Sequence, residues 1–135
     1  MSAYEITDKL LEIMHKYDVV ILNYANGDMV GHTGDFNATL KAVEVLDECL
    51  GKIFKKVEEL NGTLIVTADH GNCDYMIDEN GNVVTSHSTS LVPFIVNRKD
   101  IKLKSGKLGD IAPTIIDLLD LPIPKEMTGN SLIEE

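Results

Sequence analysis

The chain has 135 residues, enough for one modest core, and with 44% hydrophobic and 25% charged residues it has the composition of a folded protein. Lys and Arg number 12 against 22 Asp and Glu, and the resulting net charge of −10 argues against a nucleic-acid partner. No apolar run approaches the ~18 residues that cross a bilayer, and the opening residues have neither a basic nor an apolar leader region. Cys49 and Cys73 form no C-x-x-C pair. Together these features predict a soluble, cytoplasmic protein with reduced thiols and no membrane partner.

Helical and strand patterns alternate along the chain, the signature of an α/β layered fold. From Ser2 to Tyr17, Ile6, Leu10, Ile13, Met14 and Tyr17 recur at helical spacing. Val19-Val20-Ile21-Leu22 then reads as a strand buried on both faces, as in a parallel sheet. Between about Asn37 and Leu60, the residues Leu40, Val43, Leu46, Leu50, Ile53, Val57 and Leu60 mark a long amphipathic helix closed by Asn61-Gly62. Thr63 to Thr67 forms a second buried strand. Asn80-Gly81 signals a hairpin turn within Asp74 to Thr85. Leu91 to Val96 reads as a third strand, which Pro93 confines to an edge or to a first-residue position. A last helix begins near Asp110 as its cap, with Pro113 in its first turn, and the tail from Leu121 is mostly irregular. The chain is one domain, 1–135, or part of one.

Three of the four histidines fall in loops at strand ends, where open α/β sheets bind ligands. Asn26 to Gly34 follows the first strand and carries Asp28 and His32. Thr67 to Asn72 follows the second and carries Asp69 and His70. Thr85 to Ser90 precedes the third and carries His87. If the first two strands are parallel, the loops meet at one sheet edge. Carboxylates mixed with imidazoles suit manganese or zinc rather than magnesium or calcium. Two aspartates and three histidines exceed what one tetrahedral ion with an open position takes, yet they cannot fill two sites. The count predicts a binuclear site with some ligands supplied from elsewhere. Each residue taken singly has an ordinary reading as a turn residue, a solvated loop histidine or a hydrogen-bonded pair. The convergence of three loops on one ligand chemistry favours the metal site. His15, alone in the first helix, is read as structural, Cys49 as a half-buried helix residue, and Cys73 as a structural thiol rather than a zinc ligand.

At these loops the chain resembles the cofactor-independent phosphoglycerate mutases. Asn-Tyr-Ala-Asn-Gly-Asp-Met-Val-Gly-His-Thr-Gly (Asn23 to Gly34) is similar to that family's signature stretch. Thr-Ala-Asp-His-Gly-Asn (Thr67 to Asn72), His87, Asp110-Ile111-Ala112-Pro113-Thr114 and Met127-Thr128-Gly129 follow in the family's order and spacing. The first stretch is specific to the family, whereas Asp-His-Gly and Asp-Ile-Ala-Pro-Thr belong to the wider alkaline-phosphatase-like superfamily.

The resemblance implies an alkaline-phosphatase-like α/β domain, a mostly parallel sheet flanked by helices, present here incomplete. It implies two manganese ions, with zinc as the alternative: Asp28, His32 and His87 on one, Asp69 and His70 on the other. The implied reaction interconverts 3-phosphoglycerate and 2-phosphoglycerate through a phosphoserine, in glycolysis and gluconeogenesis. The nucleophilic serine, a further aspartate ligand and the basic residues of an inserted transferase domain have no counterpart in this chain, and Ser86, Ser88 and Ser90 gain no catalytic role. With Arg98 as the single arginine and no lysine in the three loops, the residues alone also argue against an independent phosphoglycerate site. The expectation is a metal-supplying part of a mutase, inactive alone. The alternatives are another phosphomutase or phosphodiesterase of the superfamily, or a stand-alone, non-catalytic metal-binding domain.

Overall fold

Ser2 starts the first helix by accepting the Glu5 amide on its hydroxyl, with Glu5 three residues on as in a capping box. The computed structural model describes residues 2–134. Helix α1 spans Ala3–Ile13 and ends in a 3-10 turn over Met14–Lys16. The short helix α2 covers Asn26–Gly31, and α3 covers Phe36–Glu59 behind an Asp35 cap whose carboxylate accepts from the Ala38 amide. The strands are β1 (Ile65–Thr67) and β2 (Phe94–Val96), and α4 spans Ile111–Leu118 behind a 3-10 turn. Residues up to Val96 form one compact unit and those from Asn97 onward a second. No described helix is long and apolar enough to cross a membrane.

In the first unit, α1 packs on α3. Leu10, Ile53 and Val57 form the core, with Met14, Tyr24 and Leu64 against it. The predicted stripe on α3 is only partly the buried one. Thr39, Cys49, Ile53 and Val57 face inward, whereas Leu40 and Val43 are exposed because the apolar arc of α3 is wider than the face α1 covers. Cys49 is fully buried, not half-buried as expected. The helix ends as the Asn-Gly pair predicts, with Asn61 itself in the left-handed region at φ 54° and the Gly62 amide returning to Val57 O at 2.8 Å.

The sheet differs from the expected parallel one. Its two strands pair antiparallel, Ile65 opposite Val96 and Thr67 opposite Phe94. The expected first strand, Val19 to Leu22, is irregular chain with no ladder partner among the described residues, and Ile21 is 87% exposed. An apolar run supplies side chains for a strand but not the neighbouring backbone that a ladder requires. The Asn80-Gly81 hairpin does form. Gly81 takes φ 83°, its amide meets Asp78 O at 3.0 Å, and Ile77 pairs with Val83.

In the second unit, Asp110 sits at the cap position of α4, but its carboxylate makes no cap bond to the helix. It accepts instead from the Lys107 and Asn130 amides, both at 2.9 Å. Thr114 adds a second tie, donating to Asp110 O and accepting from the Leu132 amide, and Leu103 pairs antiparallel with Ile133. The tail is irregular but fastened to the start of α4 by these bonds.

The Asn130 and Lys107 amides hold the Asp110 carboxyl below the usual carboxylate range. A group lowered on folding contributes fully above its unfolded value, near pH ~4, and loses that contribution as pH falls through the folded value. Protection of the Asn130 amide against hydrogen exchange is therefore expected to fall as the pH drops below about 4, and Asp110→Asn to lose the acid-dependent step. Protection independent of pH in the unsubstituted protein would disprove the tie.

Candidate metal centre

Asp28 is the third residue of α2 and His32 its C-terminal cap. A spacing of four puts both side chains on one face of a helical turn. The antiparallel β1–β2 pair supplies the other half of the site. Because Thr67 at the end of β1 lies opposite Phe94 at the start of β2, the loop leaving β1 and the loop entering β2 share one edge. Those loops carry Asp69 with His70, and His87.

The resulting geometry is tight at three residues. Asp28 Oδ1 lies 3.0 Å from His87 Nε2 and 3.1 Å from His32 Nε2, and the two imidazole nitrogens are 3.2 Å apart. Three atoms each ~2.1 Å from a shared ion would be about 3.0 Å apart on an octahedral face and about 3.4 Å apart on a tetrahedral one, so the triangle has the size of a metal-binding face. The protonation pattern fits as well. His32 Nδ1 lies 2.6 Å from the carbonyl oxygen of Thr85, which only accepts, so Nδ1 carries the proton. In the neutral ring the Nε2 lone pair then faces the Asp28 carboxylate and His87. Three potential ligand atoms converge where a cation can be shared among them, and the backbone carbonyl orients one ligand from behind.

His70 adjoins this group rather than joining it. Its ring stacks on His87 with centroids 3.6 Å apart and 17° between planes, and its Nε2 is 3.8 Å from Asp28 Oδ1. Asp69 is 84% exposed at the side chain and reaches His70 at 3.6 Å. Four of the five residues singled out from the sequence are thus drawn together, with Asp69 at the rim. His15, on the exposed surface of a 3-10 turn, is not in the cluster. The Cys73 thiol donates to Gly27 O at 3.1 Å, a structural contact.

Supporting residues were less visible in the sequence. Partial desolvation of Asp28 is outweighed by the hydrogen bond from Asn72 and by the adjacent His32 and His87, which bring its carboxyl below the usual range. Asp74 accepts the Ser88 hydroxyl at 2.8 and 3.0 Å, and the Ser88 amide meets Gly71 O at 2.8 Å. The Ser90 hydroxyl, followed by that of Ser88, holds the Asp74 carboxyl low. This clamp joins the His70 loop to the His87 loop. No motif marked it, because its members become neighbours only when the strands pair. With Asp74→Ala, exchange protection at the Ser88 amide is expected to fall by about tenfold, as for loss of one or two modest hydrogen bonds. Unchanged protection would mean the loops are held by other contacts.

The sequence profile of the Metalloenzyme superfamily matches residues 1–123. A protein of Acetivibrio thermocellus named 2,3-bisphosphoglycerate-independent phosphoglycerate mutase is 58% identical over 98% of this chain. Proteins of the same name are 53% identical in Malacoplasma penetrans and 57% identical in Clostridium botulinum, over 100% and 99% of the chain. The chain spans 27% of the length of each of these relatives.

Proposed function

Because the chain belongs to the Metalloenzyme superfamily, we propose that α2 and the two strand-end loops supply metal ligands to a manganese-dependent phosphoglycerate mutase. The triangle of Asp28 Oδ1, His32 Nε2 and His87 Nε2 carries this reading, since all three atoms lie within 4.8 Å of one another. The shared name of relatives more than half identical over nearly the whole chain supplies the reaction. In this reading Asp28, His32 and His87 hold one ion, and Asp69 with His70 contribute to a second. Manganese is the first choice and zinc the alternative. The ions, when bound, neutralise phosphoryl charge and lower the pKa of a nucleophilic hydroxyl.

The residues of this chain then have separate tasks. Asp28 offsets cationic charge from one corner while Asn72 holds its carboxylate. Thr85 O fixes the tautomer of His32, so that Nε2 presents a lone pair. The Asp74–Ser88 clamp keeps His87 over His70. Substrate capture lies outside this set. A phosphorylated carboxylic acid calls for basic partners, whereas the chain is strongly acidic and its single arginine, Arg98, pairs with Asp100. The mutase activity, with phosphoglycerate as substrate, is accordingly assigned to a longer polypeptide of which these residues are one part, and the 135 residues alone are expected to be inactive.

Calorimetric titration of the metal-free chain with manganese, beside His87→Ala, tests the assignment. One tight equivalent that the substitution abolishes is the expected result. A folded chain that binds neither manganese nor zinc, or one that binds equally well without His87, would refute it. Phosphoglycerate turnover by the pure chain, dependent on one of its own serines, would refute the division of labour.

A further inference from the structure

Among the described residues, Asn72 is the one polar side chain that is both deeply buried and aimed at the candidate centre. It is 7% exposed, and its Nδ2 donates to Asp28 Oδ1 at 3.1 Å, the same oxygen that faces His32 and His87. Its partner lies in α2, 44 residues away in sequence. A second, independent feature of the backbone points to the same side chain. A Cβ added at Gly31 would overlap Asn72 Oδ1 and Cγ. Gly31 is itself buried, lies inside α2 and has no positive φ, so backbone conformation does not call for glycine there. The space is needed by Asn72.

We propose that Asn72 is a positioning residue for the metal centre, holding the Asp28 carboxylate in its ligating rotamer from a niche that only a glycine at position 31 leaves open. The inference rests on the metal-centre reading above and adds to it a residue that acts through Asp28. An amide N–H on one lone pair of Oδ1 leaves the other for an ion and restrains rotation of the carboxylate about its last bond. Without that donor the carboxylate is free to turn toward water, since the Asp28 side chain is 32% exposed. Outer partners of this kind typically govern about 10- to 100-fold in metal affinity.

Two substitutions approach the contact from opposite sides. Asn72→Leu keeps the γ-branched outline of the side chain, with bulkier methyl ends, and removes the donor. Gly31→Ala leaves Asn72 in place chemically but pushes it off Asp28, and alanine favours the helix backbone of α2. Each is compared with the unsubstituted chain and with His87→Ala by manganese calorimetry and by the visible spectrum of bound cobalt(II), whose band intensity reports coordination geometry. Thermal unfolding of the metal-free proteins runs in parallel. The expected result is manganese affinity about 10- to 100-fold weaker in both variants, with an altered cobalt spectrum at saturation. A purely structural asparagine would lower the unfolding temperature and leave the spectrum of the loaded protein unchanged. If Asn72→Leu does not fold, Gly31→Ala decides alone. Full affinity and an unaltered spectrum in the folded variants would overturn the positioning role and leave the metal centre standing. Failure of the unsubstituted chain to bind manganese, zinc or cobalt would overturn both.

Discussion

A single oxygen, Oδ1 of Asp28, lies within 3.1 Å of two imidazole nitrogens and one side-chain amide. Two of these partners come from loops far along the chain, and one comes from the same helical turn. Three atoms that can each offer a lone pair lie so close that something positive, a proton on an imidazole or a metal ion, has to sit among them. The same convergence makes the site attractive to a metal cation, which can take the place of that proton. The remainder of the first unit can be understood as the apparatus that imposes it.

That apparatus has two parts. Packing of α1 on α3 makes the core, and Tyr24 carries that rigidity to the start of α2. Tyr24 packs against the cluster of Leu10, Ile53 and Val57, and its hydroxyl pairs with Thr7 inside α1. The second part is hydrogen bonding. The loop from β1 and the loop into β2 are tied together by polar contacts. Their placement depends on strand pairing, the Ser88–Gly71 backbone bond and the Asp74 carboxylate. A centre built on loops needs such supports if its geometry is to be fixed before a ligand arrives.

The electrostatic character of the chain bears on the proposed reaction. A protein of net charge −10 repels a phosphorylated acid at long range, so local positive charge must come from bound ions or from residues outside this sequence. Two cations at the loop edge would reverse the local sign where the phosphoryl group reacts. In the proposed reaction the ions would serve binding as well as chemistry, and placement of Asp28 would matter to both.

The sequence by itself determined what local rules control. Helical periodicity located α1, α3 and α4, the Asn61-Gly62 and Asn80-Gly81 pairs located a helix end and a turn, and ligand-type residues in three loops marked the candidate centre. Tertiary structure decided everything that depends on partners distant in the chain. Val19 to Leu22 has the composition of a buried strand but no ladder partner among the described residues, and β2 runs antiparallel to β1, because composition cannot specify which backbone lies alongside. The carboxylate of Asp110 was assigned to a helix cap from its position, yet it turns to the Lys107 and Asn130 amides, which only the folded tail brings near. The separation of Asp69 from the Asp28, His32 and His87 triangle, and the roles of Asn72, Asp74 and Ser88, follow from the same cause. Ligand chemistry is a property of single residues and can be read along a chain, whereas distances of about 3 Å between residues 40 to 60 positions apart exist only once the loops are folded together.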